Sequence, residues 1–277
     1  MLKKLETELK LRNFSEKTIS SYLFHNKKFL EFSNKQPENI TQEDIKLYLA
    51  NLISDKKQKP SSVNLAVCAL RFLYEKIMEK DIFKKIDPIK SEKKIPVVLT
   101  KDEIKQLLDS IKNKKHKLLI ELMYSSGLRV SEAVNMKLNE LNLNEKIGKV
   151  VSGKGRKDRL IILSNTLIDH IEKYQKYREK KNINSEFLFP SNKDKSVPIT
   201  VRQAQKIITK TAERAKLNKR VFCHALRSSF ATHLLESGTD IRIIQELLGH
   251  NSIATTQRYV SVSTSQLKKI RSPLDTI

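Results

Sequence analysis

The stretch from His224 to Val260, HALRSSFATHLLESGTDIRIIQELLGHNSIATTQRYV, confines the chain around it to short helices meeting end to end. Apolar residues at Leu226, Phe230, Leu234 and Leu235 follow a helical period, and Gly238 stands where a left-handed residue closes such a helix. Thr239 or Asp240 is placed to cap a second helix, with Ile241, Ile244, Leu247 and Leu248 as its inward stripe and Gly249 at its end. Asn251 or Ser252 is placed to cap a third, over SIATTQRY. His224 and Arg227 are three apart and share a helix face. His250 falls just past a helix end, and Tyr259 lies in the helix that follows.

Each of these side chains has an ordinary use when taken singly. An isolated histidine is commonly a satisfied polar group, and an arginine on a basic protein is commonly solvated or bound to phosphate. Converging on one pocket, two imidazoles and a guanidinium can hold a phosphate, and a phenol can attack it. The phenol has a pKa near 10, so that attack needs a nearby base or a strong positive field.

HALR followed by LLGHNSIATTQRY resembles the signature of the tyrosine recombinases, the integrase family that includes the Xer proteins. The resemblance implies an upstream arginine and a lysine in a β-turn, and the chain has both. GLRVSE, beginning at the Gly127 that closes the apolar helix HKLLIELMYSSG, matches the family's first box and makes Arg129 its arginine. Glu132, three residues on, is placed to orient that guanidinium. From Leu141 to Leu163 the period turns from helical to alternating, so that Ile147–Val151 and Leu160–Leu163 read as two strands. Glycines at 153 and 155 permit a tight turn in the SGKGRKDR segment between them, and Lys154 lies there, where the family keeps its catalytic lysine. Lys157 and Arg159 of the same segment are expected to contact DNA backbone phosphates. The implied catalytic set is Arg129, Lys154, His224, Arg227, His250 and the nucleophile Tyr259. Two departures lie beside it: Ser228 follows the LR where relatives often carry His, and Val260–Ser261 follows Tyr259 where Thr-His is frequent.

The charge balance agrees with a polyanionic partner. Lys and Arg number 54 against 31 Asp and Glu, a net charge of +23, far beyond what solubility requires. Basic residues exceed acidic ones both in the first 90 residues and in the remainder. Cys68 and Cys223 sit among apolar neighbours with no metal or redox spacing and read as core thiols of a reducing compartment. No apolar run approaches bilayer length and the N-terminus lacks a signal peptide's hydrophobic region, so a cytoplasmic, nucleoid-associated protein is expected.

In chain order, residues 1–87 read as a helical bundle. Leu2, Leu5, Leu9 and Leu11 start it, and Ile19, Tyr22, Leu23, Phe29, Leu30 and Phe32 face inward from a second helix opened by Ser15. A third helix begins at Thr41, and Ser61 or Ser62 is placed to cap a fourth through Tyr74 and Met78. Residues 88–98 read as a linker, and Thr100 with Glu103 forms a capping box that opens a second domain over 99–277. A charged amphipathic helix follows over 165–183, and Thr200 caps another to about Lys216, whose Arg202 and Lys206 are candidate DNA contacts.

The fold class expected is therefore mainly α with a small antiparallel β-sheet. The resemblance implies an N-terminal SAM-like bundle and an α+β catalytic domain closing on a duplex as a C-shaped clamp. It also implies double-stranded DNA as partner, and self-association into dimers or tetramers on DNA through a tail over 261–277. The chemistry calls for no metal, no other cofactor and no small-molecule substrate. Three functions stay open at this point: a site-specific recombinase of chromosomes or mobile elements, a type IB topoisomerase-like nicking enzyme, and a DNA-binding regulator with a vestigial site.

Overall fold

A computed structural model describes residues 1–84, 86–90, 96–151, 158–249 and 256. The chain divides into two compact units, Met1–Lys94 and Ile95–Ile277.

The first unit is a helical bundle of α1 (Leu2–Leu11), α2 (Glu16–Ser33), α3 (Gln42–Ser54) and α4 (Pro60–Arg71), the last running on into a π-helical turn over Phe72–Ile77. Ser15 caps α2 by accepting from the Thr18 amide at 3.2 Å, and Thr41 with Asp44 forms a reciprocal capping box on α3. Pro60, whose missing N–H costs nothing at a first helical position, opens α4 just ahead of the serines expected to cap it. Leu5, Leu9, Ile19, Phe29, Ile45, Val63, Leu70 and Tyr74 form the core. Asn26 is wholly buried within it and donates to the Tyr22 carbonyl at 2.9 Å and the Ala69 carbonyl at 3.0 Å, which ties α2 to α4.

Leu11 closes α1 and is 74% exposed, because two residues past Leu9 the helix has turned to its opposite side. Two expectations fail here, each for a directional reason. Phe32 is exposed at the edge of α2 with one face against the Tyr48 ring, at 5.2 Å between centroids. Cys68 points outward from α4, whose inward residues are Val63, Ala66, Val67 and Leu70, so it is an exposed thiol. Cys223 is half-buried, and burial pushes its thiol up to about 11. Ile89, within the expected linker, is tied to α4 through both backbone groups, donating to Asn64 Oδ1 at 2.8 Å and accepting from Asn64 Nδ2 at 2.9 Å.

The second unit begins with α5 (Lys101–Asp109), opened by the Thr100–Glu103 capping box, then α6 (Lys114–Ser125) and α7 (Val130–Asn135). Leu118, Leu119, Ile120, Leu122 and Met123 of α6 are all buried, so that helix is enclosed on every side and forms the centre of the core. Glu121 is buried among them and shares a hydrogen bond with His170 Nδ1 at 2.8 Å. A three-stranded antiparallel sheet follows: β1 (Leu141–Asn142), β2 (Ile147–Val150) and β3 (Arg159–Ile162). Val150 pairs with Arg159 and Gly148 with both Leu141 and Ile161. Residues 152–157, where a tight turn with Lys154 and Lys157 was expected, lie outside the described residues. Then come α8 (Asn165–Lys180), α9 (Val201–Arg214), α10 (Cys223–Glu236) and α11 (Ile241–Leu248). A small satellite core of Phe230, Ala231, Leu235, Ile244 and Leu248 packs α10 against α11. Asp240 caps α11 by accepting from the Arg242 amide at 2.7 Å. Among the described residues no helix is long and apolar enough to cross a membrane.

Candidate active site

Three arginines from distant parts of the sequence meet at the C-terminal end of α11. Arg129 precedes α7 directly, after a left-handed Gly127 (φ +61°) has turned the chain out of α6. A Cβ on Gly127 would lie 2.4 Å from the Phe230 ring, so only glycine brings this turn so close to α10. Arg227 comes from the buried face of α10 and Arg159 from the first position of β3.

Each donates to a different carbonyl of the last turn of α11. Arg159 Nε reaches Leu247 O at 2.8 Å, Arg227 Nη2 reaches Leu248 O, and Arg129 Nη2 approaches Gly249 O at 3.3 Å. These carbonyls have no partner inside the helix and carry its partial negative charge, so cations are favoured there. Arg227 Nη1 also donates to Gly127 O at 2.6 Å, which fastens α10 to the turn preceding Arg129.

One carboxylate holds the cluster together. Glu132 accepts the Arg129 amide at 2.7 Å and Arg129 Nη1 at 2.8 Å, and it takes a two-pronged contact from Arg159 at 2.9 and 2.7 Å. Arg227 lies 4.0 Å away. Burial alone would raise the Glu132 carboxyl, but the bonds from Arg159 and from the Arg129 amide outweigh it and bring the group down to about 2. It is therefore a fixed anion at neutral pH, surrounded by more positive than negative charge.

Exposure separates the three. Arg227 is 1% exposed, the Arg159 side chain 6% and the Arg129 side chain 26%. His224 stands in the first turn of α10 with its ring partly open to solvent. Partial burial, then the charges of Arg227 and Arg129, lower its pKa, so it is a neutral imidazole at physiological pH and able to accept a proton.

Arg129, Arg227 and Glu132 are thus brought together, with His224 close enough to Arg227 and Arg129 for their charges to act on it. His250 and Tyr259 lie outside the described residues, although Gly249, which precedes His250, is within the cluster and Thr256 is helical and buried. Arg159 corrects the sequence reading. It faces inward, bound to Glu132 and α11, and offers no surface to a duplex. The signal was present in the strand's alternation, because Arg159 shares the buried face of β3 with Ile161.

Arg202 and Lys206 are exposed and one turn apart on α9. Lys206 also lines a cleft of about 640 Å³ with Lys210 and Arg214 of α9, Lys114 and Lys115 of α6, and Lys195. No carboxylate lines this cleft among the described residues. Burial, then Lys195 and Arg178, lower Lys115 to about 8, and burial, then Lys115 and Arg214, lower His116. Sequence reasoning missed the cleft because α6 and α9 lie some ninety residues apart and share no local pattern.

Comparison with known proteins places this architecture. Residues 97–266 match the phage integrase family and residues 1–84 match the phage integrase N-terminal SAM-like domain. The tyrosine recombinase XerA of Pyrococcus horikoshii is 38% identical over 97% of this chain and 91% of its own length. The tyrosine recombinase XerC of Staphylococcus epidermidis is 36% identical over 94% of this chain and 91% of its own. A crystal structure of the XerH site-specific recombinase bound to a palindromic difH substrate shares the fold, with a TM-score of 0.78 at 24% identity over 93% of this chain and 80% of that one. The chain belongs to the phage integrase family of tyrosine recombinases, enzymes that break and rejoin DNA.

Proposed function

We propose that this enzyme is a site-specific recombinase of the Xer type that resolves chromosome dimers at a dif-like site in the cytoplasm. The observation that carries the reading is the convergence of Arg129 and Arg227 on one fixed carboxylate, with a neutral His224 beside the two arginines, in a chain whose full-length relatives include XerA and XerC.

Arg129 and Arg227 place permanent positive charge on the non-bridging oxygens of the scissile phosphate, where charge develops in the transition state. His250 donates a further hydrogen bond. Tyr259 attacks phosphorus while its phenolic proton passes to His224. The bond from phosphorus to the 5′-oxygen breaks, and Lys154 protonates that oxygen as it leaves. The products are a 3′-phosphotyrosine and a free 5′-hydroxyl. One phosphodiester replaces another of similar energy, so resealing needs no ATP, and the arginines and lysine supply the charge without a cofactor. Lys157, Arg202 and Lys206 contact the phosphates of double-stranded DNA, and residues 261–277 dock on a neighbouring protomer to build the dimer and tetramer.

The test uses nicked duplexes carrying candidate inverted repeats, incubated with the protein and resolved on a denaturing gel. A protein–DNA adduct on a chromosomal repeat that disappears with Tyr259→Phe is the expected result. An adduct formed only on the ends of a mobile element would replace chromosome resolution with integration. An adduct on any sequence, together with relaxation of a closed supercoiled plasmid in a parallel incubation and no strands exchanged, would replace it with a topoisomerase. Tight binding without any adduct would leave a regulator.

A further inference from the structure

Arg159 matches no role in the chemistry above, yet it is bonded both to the carboxylate at the centre of the arginine cluster and to the helix end that the cluster caps. Its side chain occupies both oxygens of Glu132, donates from Nε to Leu247 O, and lies so close to Gly249 that a Cβ there would come within 2.9 Å of its Cδ. It starts β3, five residues after Lys154 in sequence.

We propose that Arg159 is a positioning residue of the reaction, holding Glu132 so that Arg129 stays directed at the phosphate. The proposal rests on the recombinase reading of the site. A carboxylate prefers a two-pronged contact with a guanidinium over a single one. Arg159 already makes that contact, so Arg129 is restricted to one bond, from Nη1 to Oε1. Without Arg159, Glu132 is free to take Arg129 by both prongs and to draw Arg227 in from 4.0 Å, and both would leave the position where they meet a phosphate. The Nε bond and the approach to Gly249 extend the same control to the end of α11, after which His250 follows. One side chain thereby links the strand after Lys154 to both ends of the phosphate-binding group.

The experiment measures duplex affinity, single-turnover adduct rate and final adduct amount for wild type, Arg159→Met and Arg159→Lys, and repeats Arg159→Met in a Glu132→Gln background. Arg159→Met should leave affinity and final adduct amount within about threefold and slow the adduct rate about 100-fold, as misplacement of a catalytic group does. Arg159→Lys keeps the charge but not the fork, and should also lose at least about tenfold in rate. In the Glu132→Gln background, the further cost of Arg159→Met should fall to about threefold or less, because the carboxylate it restrains is gone. A full rate in Arg159→Met, full rescue by lysine, or an undiminished cost in the Glu132→Gln background overturns the proposal. A merely structural role would lower the final adduct amount, not its rate. If Arg159→Met does not fold, the rate of Arg159→Lys decides. Absence of an adduct from wild type on every substrate would instead sink the recombinase reading itself.

Discussion

The catalytic unit handles positive charge in two opposite ways. At the end of α11, Arg159 and Arg227 are buried and Arg129 is partly exposed, each is tied to a carbonyl, and one carboxylate is shared among them. In the cleft between α6 and α9, lysines crowd one another without a lining carboxylate, and Lys115 and His116 are held below their usual values by burial and by neighbouring cations. The first arrangement fixes direction, and its charge costs little to keep because the donors have acceptors. The second fixes only potential, which a chain of phosphates relieves wherever it comes to lie. Rigid planar forks suit the first task and compact solvated ammonium groups the second.

The sharpest way to break this contrast is to remove the shared carboxylate. Glu132→Ala leaves Arg159 buried with a carbonyl but no counter-charge and should cost about 3–5 kcal/mol in urea unfolding. The pKa gives a consistent figure: a carboxyl lowered from 4.5 to about 2 contributes on the order of 3 kcal/mol. Because the folded pKa is the lower one, that contribution is complete above 4.5 and is lost as the pH falls toward 2. A loss below about 1 kcal/mol would mean that the arginines hold one another in place through the carbonyls alone.

A smaller effect is expected from the cleft. Lys206→Ala combined with Lys210→Ala should weaken DNA binding on all sequences alike and reduce the slope of log affinity against log salt by about 2, roughly 0.9 for each phosphate no longer neutralised. A slope unchanged by the pair would remove the cleft from the DNA-binding surface.

The smallest expected effect concerns His224. Its lowered pKa keeps it neutral at physiological pH, so the adduct rate should change less than about twofold between pH 7 and 8 and decline only on the acid side of the ordinary 6.5. A midpoint above 6.5 would show that burial and the neighbouring arginines do not depress it, or that another group takes the proton.

Much of this was legible in the residues. Glycines 127, 238 and 249 marked helix exits, Thr100, Thr200 and Asp240 marked helix entries, and the three-residue spacing of Arg129 and Glu132 announced their pairing. These are local signals, written within one turn of chain. β1 escaped notice because two residues cannot establish an alternation, and its identity comes from Gly148 and Ile147 opposite. Arg159 was misdirected because its charge suggested solvent while its position in β3 required the interior, and position prevails when a buried carboxylate is waiting. The cleft was invisible since it depends on which helices the core brings together.

The last turn of α11 has one more consequence, for how the site comes apart. Leu247, Leu248 and Gly249 present three consecutive carbonyls that receive arginines from three separate segments, at 129, 159 and 227. Fraying of this one turn breaks all three of these contacts together, while Glu132 still holds Arg129 and Arg159, and Gly127 O still holds Arg227. The Gly249 amide, which bonds to Glu246 O inside that turn, is therefore a reporter: its hydrogen-exchange rate counts how often the helix end lets go of the arginines.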